Sequence, residues 1–249
     1  MTIEFDEGSV IVYHKSPFDM ILDERLPAGL GGRWYGVYPA LVSDIKDKDG
    51  QGRVKVTLPW SPDTGGERFE VWARLATLMG GNQRGSWLIP DVDDEVLVAF
   101  EGGDSRRPYV VGSLWNGQDA PPAAMDGNGR NNLKVIRTRS GNKVTLDDSD
   151  GQEAIILETP GGQKVTLQDG PGSIELDDSN GNSIKLDSGG ITIVASASLT
   201  ISASSITISA GSVNVSAGLS AFSGVVQADT VMSSTTISAS YTPGAGNIL

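Results

Sequence analysis

Val144-Thr-Leu146, Ile155-Ile-Leu157, Val165-Thr-Leu167, Ile174-Glu-Leu176 and Ile184-Lys-Leu186 begin about ten residues apart, and Ile191-Thr-Ile193, Leu199-Thr-Ile201, Ile206-Thr-Ile208 and Val213-Asn-Val215 continue the series at seven or eight. An apolar-x-apolar unit is a short strand that sends two side chains to one face. Early units are separated by glycine turns, Ser140-Gly-Asn, Pro160-Gly-Gly and Asn180-Gly-Asn, and the spacing shrinks to nearer six towards Val231 and Ile237. A repeat that shortens along the chain describes a structure that tapers. Charge follows the same axis: the repeat is studded with Asp, Glu, Lys and Arg up to Asp187, and after it the only charged side chain is Asp229.

Two apolar residues per strand cannot build a core inside one chain, and alone such strands would leave their edges open to aggregation. Three copies wound about one axis solve both problems, because backbone groups pair with neighbouring chains and the apolar pairs meet their symmetry mates. The residues expected on that axis are Val144, Leu146, Val165, Leu167, Ile184, Leu186, Ile191, Ile193, Leu199, Ile201, Ile206, Ile208, Val213 and Val215. The expectation is therefore a trimeric, intertwined β-helix, or β-prism, over 131–240. About thirteen strands, each advancing the prism by about 4.8 Å, give a shaft of about 60 Å.

Upstream, residues 118–130 are rich in Pro, Gly and Asn and read as a linker. Residues 34–117 read as five strands, over Tyr35–Ile45, Arg53–Leu58, Val71–Thr77, Glu95–Glu101 and Pro108–Trp115. Five short strands without a long helix suit a small closed barrel of the OB type, so the whole chain is expected to be all-β. Residues 1–33 read as an arm. Ser16-Pro17-Phe18-Asp19 has the form of a helix start, and Phe18, Ile21, Leu22 and Leu26 recur at helical spacing, which predicts a short helix over 17–26 that needs a surface to dock on. The last stretch, 241–249, leaves the strand pattern at Pro243 and ends on Ile248 and Leu249.

Composition narrows the function classes. The 249 residues carry a formal net charge of -12, which opposes binding to a phosphate backbone, and no nucleic-acid partner is expected. There is no Cys and a single His, His14, so thiolate and His-pair metal sites and a Ser-His triad are not expected, and no cofactor is. Met1–Val10 is acidic and lacks the apolar core of a signal peptide, and no apolar stretch is long enough for a membrane-spanning helix. Synthesis in a cytoplasm is the expectation.

Gly52-Arg53-Val54-Lys55-Val56 leads to Pro59-Trp60, followed by Trp72-Ala73-Arg74 and Gly85-Ser86-Trp87-Leu88-Ile89-Pro90; Asp94–Glu101 leads to Gly103-Asp104, Arg107-Pro108 and Val111–Gly117. This block, over most of 36–117, resembles the OB domain of the phage baseplate spike family, baseplate assembly protein V, and of VgrG in type VI secretion. Asn131-Asn132-Leu133-Lys134 through Ser140-Gly141-Asn142-Lys143 resembles the start of that family's β-helix. The resemblance implies a non-enzymatic homotrimer in the baseplate of a contractile tail or injection particle, a spike that joins the hub to the tip and makes transient contact with a target membrane. It implies a hub contact through Phe18, Ile21, Leu22 and Leu26, and a PAAR-type tip protein on Ile248 and Leu249. Two departures matter. The linker is too short for an inserted lysozyme domain, and 33 residues are too few for a fused hub, so the hub is expected to be a separate polypeptide.

The alternative is a β-helical tailspike, a glycan-degrading enzyme or an adhesin. Its acid candidates, Asp147, Asp148 and Asp150 or Asp177 and Asp178, sit in turn sequences without a pocket-forming insertion. Asp47-Lys-Asp-Gly and Asp147-Asp-Ser-Asp-Gly lack the spacing of a calcium loop. Trp60, Trp72, Trp87 and Trp115 are placed to stack bases in an OB barrel, but their positions at strand ends suit hydrophobic packing.

Overall fold

The computed structural model describes residues 33–59, 68–170 and 172–239, and the backbone of two strands before them, β1 (Thr2–Asp6) and β2 (Ser9–Tyr13), which pair as an antiparallel hairpin. Among the described residues the only helical turn is a 3-10 turn, Glu101–Gly103. The helix expected over 17–26 lies outside the described residues.

The barrel consists of β3 (Val37–Asp44), β4 (Val54–Thr57), β5 (Glu70–Leu75), β8 (Glu95–Phe100) and β9 (Pro108–Ser113), closed in the order β3-β4-β5-β9-β8. Only β5 and β9 run parallel. Alternation supplies its core. Val54 and Val56 are fully buried on β4, and Val96, Val98 and Phe100 face the same interior from β8. Cross-strand pairs Ala40↔Val96 and Val42↔Val56 lock the register. An aromatic group closes one end, with Phe100 edge-on to Trp34 at 5.0 Å and Phe69 edge-on to the same indole at 5.5 Å. Between β5 and β8 a small hairpin, β6 (Gly80–Gly81) and β7 (Arg84–Gly85), stands out from the barrel.

After the segment 118–130 come seven strands: β10 (Leu133–Arg137), β11 (Lys143–Asp147), β12 (Ala154–Glu158), β13 (Lys164–Gln168), β14 (Ser173–Asp177), β15 (Ser183–Asp187) and β16 (Gly190–Val194). They form one antiparallel sheet in chain order. Here the structure departs from the sequence reading: these strands pair with their neighbours in the same chain. The turns explain it. Thr138–Asn142, Thr159–Gln163 and Asp178–Asn182 repeat one pattern, in which the first residue's N–H donates to the fifth residue's carbonyl and the fourth residue's N–H donates back to the first carbonyl. The fourth residue is Gly141, Gly162 or Gly181, with φ of 97°, 88° and 83°, a conformation glycine takes without strain.

In the third of these turns Asp178 accepts the side-chain amide of Asn182 at 2.7 Å and the backbone N–H groups of Asn182 and Asn180. These donors, the Asn182 side chain first, hold its pKa down at about 2 against an ordinary 3.8. The folded value lies below the unfolded one, so the stabilisation is complete above about pH 4 and is lost as pH falls towards about 2. Amide protons of Asn180 and Asn182 should lose protection across that window, and Asp178→Asn should remove the pH dependence. Protection that stays constant down to the acid end would show that the carboxylate is not the acceptor.

The chain divides into a unit over Met1–Ala197 and a second over Ser198–Leu249. The second unit, described to residue 239, forms no strand ladder within the chain. Its backbone bends at Ser204, Gly211, Gly218, Gly224, Asp229, Ser234 and Ala239, so the straight pieces shorten from seven residues to five. That is the tapering repeat seen in the sequence, now carried by a chain with no partner strand of its own.

Candidate functional site

The sheet of seven strands has two unlike faces. On one face the register builds two columns across the strands. The first is Ile136, Val144, Leu157, Val165, Leu176, Ile184 and Ile193; the second is Lys134, Leu146, Ile155, Leu167, Ile174, Leu186 and Ile191. Lys134 alone interrupts the apolar surface, at the barrel end, where its ammonium reaches towards Asp148 at 3.9 Å.

The opposite face carries the polar residues. Lys143 pairs with Glu158 across β11 and β12 at 3.1 Å, and Lys185 with Glu175 across β14 and β15 at 3.0 Å. These pairs sit directly opposite in register or close to it, where unlike charges support a sheet. Beneath such long side chains Thr145 and Thr166 are more than nine-tenths buried, while Val144 and Leu146 beside Thr145 are 37% and 43% exposed. Over β11–β14 the polar face thus holds buried residues, Thr145, Thr166 and Ser173, while no residue of the apolar columns is buried, the reverse of what water selects. A continuous apolar surface of this size marks a contact.

The axis residues expected from the sequence divide between two places. Val144, Leu146, Val165, Leu167, Ile184, Leu186, Ile191 and Ile193 are brought together on this face, with Ile136, Ile155, Leu157, Ile174 and Leu176 beside them. Leu199, Ile201, Ile206, Ile208, Val213 and Val215 belong to the second unit, where all six are exposed. Phe18, Ile21, Leu22 and Leu26, and Ile248 and Leu249, lie outside the described residues.

The motifs of the barrel close turns. Asp104 receives the Arg106 guanidinium at 3.0 and 2.8 Å, which holds its carboxyl well below the usual carboxylate range, and Arg107 donates its N–H to the Asp104 carbonyl. Asp47 accepts N–H groups from Asp49, Gln51 and Arg53 and a 2.6 Å contact from the Arg53 guanidinium. A protein cation thus occupies the place a calcium ion would need. Two of the acid candidates, Asp147 and Asp178, behave in the same way. Asp147 accepts the hydroxyl and N–H of Ser149, and its pKa is lowered, as that of Asp178 is. A general acid needs the opposite shift. Among the described residues no group of three or more His, Cys, Asp and Glu is arranged to hold a metal.

The tryptophans depart from expectation. Trp72 does pack, with Arg53 and Lys55 over its ring at 5.7 and 5.6 Å. Trp87 and Trp115, expected in hydrophobic packing, are exposed, and Trp60 lies outside the described residues. A strand-end position fixes where an indole starts but not whether anything covers it.

Comparison with known families assigns both halves. Residues 38–115 match the type VI secretion system/phage-baseplate injector OB domain, and residues 154–220 match the phage baseplate V C-terminal trimerisation domain. The second match spans β12–β16 and continues into the unit without a ladder. Among characterised proteins, the type VI secretion system spike protein VgrG3 of Vibrio cholerae is 33% identical over 113 residues, covering 44% of this chain and 11% of its own length. The spike proteins VgrG1b and VgrG1a of Pseudomonas aeruginosa are each 29% identical over 116 residues, again 44% of this chain, and 16% and 18% of their own lengths. The chain thus matches only a small part of these relatives.

Proposed function

Because the chain belongs to the phage baseplate spike family that includes the VgrG proteins of type VI secretion, we propose that three copies assemble into a structural spike that leads a contractile tail or injection tube into its target envelope. The observation that carries the reading is the open apolar face of the sheet in a chain with a trimerisation domain. Most apolar residues on it are about 40–60% exposed, and completing the burial of each contributes of order 1 kcal/mol. Summed over both columns, this is a driving force no isolated chain collects.

The role is mechanical and needs no catalytic group. In such a trimer the sheet faces meet about the axis, and the second unit, which lacks internal pairing, takes its strand partners from the other two copies. A prism wound in this way cannot release one strand without breaking pairing to its neighbours, which suits it to axial load. The near-absence of charge after Asp187 fits a segment that enters apolar surroundings without carrying ions into them. The spike would be assembled in the producing cell's cytoplasm as part of the tail baseplate or injection particle.

At the two ends, the arm with Phe18, Ile21, Leu22 and Leu26 would hold a separate hub protein. The apolar terminus with Ile248 and Leu249 would seat a PAAR-type tip protein. Light scattering should give three times the chain mass, and negative-stain images a needle with a broader base. Deleting residues 1–33 should abolish co-purification of the hub, and truncation after Ser240 that of the tip, while the trimer persists. A stable monomer at micromolar concentration, or a trimer without a needle, would exclude the spike in favour of an adhesin-like solenoid.

A further inference from the structure

The two rows of turns that border the seven-stranded sheet carry opposite charge over β10–β13. One row joins β10 to β11 and β12 to β13, and on it lie Arg137, Arg139, Lys143 and Lys164, with Glu158 as the acid among them. The other row joins β11 to β12 and β13 to β14. It holds Asp147, Asp148, Asp150, Glu153 and Asp169, and no basic residue lies in those turns. Part of this charge is answered within the chain. Lys143 pairs with Glu158, Arg139 with Asp91 of the barrel, and Lys134 reaches Asp148. Among the described residues, however, Arg137 and Lys164 on the first row and Asp150 and Asp169 on the second are exposed and form no ion pair. Arg137 even stands directly opposite Lys143 in register, a like-charge pair that weakens a sheet. A strand of five residues at about 3.4 Å each holds the rows roughly 15 Å apart, so one chain cannot close these charges on itself.

We propose that the basic row of each copy lies along the acidic row of the next, so that three charge zippers join neighbouring sheets of the spike. The inference rests on the trimer proposed above. With the apolar faces turned to a three-fold axis, rotation sets one row of each sheet beside the opposite row of its neighbour. The contact is head-to-tail and closes after three copies. Level agrees as well as sign. Without an axial shift, the two ends of one strand become neighbours across the junction. Lys143, at the start of β11, then meets Asp147 at its end, and Lys164, at the start of β13, meets Asp169 just past its end. Arg137 lies one to two strand spacings, of about 4.8 Å each, from the level of the turn with Asp150, within reach of a long side chain. Both signs sit on one chain at matching levels, and that favours a second copy as the occupant over a partner of another kind. The match ends below β13, where the first row becomes acidic at Asp177 and Asp178, the latter held by its own turn. Exposed pairs are individually weak. The zipper therefore sets the register in which the sheets meet, and the apolar faces hold them there.

The test uses the full chain. Arg137→Glu would relieve Lys143 within its own chain, so a role confined to one chain predicts a trimer that melts at or above the native temperature. The zipper predicts the reverse: a lower trimer melting temperature at low salt, a gap that narrows as salt rises, and recovery when Asp150→Lys is added on the far row. Proximity is read separately. The chain has no cysteine. The double variant Lys164→Cys, Asp169→Cys, first shown by light scattering to be trimeric and then treated with a short bis-maleimide, should give covalent dimers and trimers on a denaturing gel. Each single variant should give none. An intact trimer that does not cross-link, or that cross-links only to another protein when particle components are added, overturns the zipper and leaves the trimer standing. So does an Arg137→Glu trimer that melts no lower than the native one, or a loss that Asp150→Lys does not restore. A monomeric native chain overturns both.

Discussion

Ile193→Asp is expected to leave the chain monomeric, whereas Thr192→Asp, one residue away, leaves the trimer intact. Ile193 ends the first apolar column, opposite Ile184 on β15, and is still 54% exposed in the single chain. If the columns meet about a three-fold axis, three carboxylates are forced together in an apolar setting, at a penalty of several kcal/mol even after relaxation. Thr192 projects to the other face, directly opposite Lys185, which already attracts Glu175 and Asp187. An aspartate there meets a cation and water. Light scattering and trimer melting separate the two variants. Equal damage from both would mean that the sheet buries its polar face, and the trimer axis would have to be moved to the other side.

Much of this was legible in the sequence, because the two periods involved are simple. The barrel strands fall within a few residues of where alternation puts them: Arg53–Leu58 was expected and Val54–Thr57 is found, since the ladder ends where the turn begins. The apolar columns could be named because each unit has the same apolar-x-apolar form. Leu133–Arg137 has that form only through Val135, which points to the polar face, and Lys134 holds the place of an apolar residue; the strand could not be found by the rule that found the rest. The pairing of strands within one chain over 133–194 has a sequence signal that the apolar-x-apolar rule does not use. A five-residue turn with glycine at its fourth place returns the chain onto itself, and such turns stop before Val194. The exposure of Trp87 left no sequence signal, because exposure depends on neighbours such as Gly52 that only the fold brings near.

Phe100→Ala is expected to unfold the barrel and spare the prism, producing two separate melting transitions where the native chain's are close or merged. Among the described residues the buried apolar cluster consists of ten, from Ala40 to Val110, and no residue of β10–β16 belongs to it. The barrel therefore stands on its own core, and in the proposed trimer the sheet depends on other copies. Phe100 supports that core at its aromatic end, edge-on to Trp34 and 5.8 Å from the ring of Tyr38. Truncation leaves a cavity costing about 3–5 kcal/mol, much of the roughly 5–15 kcal/mol that holds a small domain folded. The probe is built into the sequence. All five tryptophans precede residue 116, so indole fluorescence follows the barrel alone, while light scattering follows the trimer. In the variant, fluorescence should shift at a temperature where the mass is still that of three chains. If mass and fluorescence are lost together, barrel and sheet form one cooperative unit. The Arg139–Asp91 contact would then be part of a larger junction between them, and the spike would have to be understood as a single folded body.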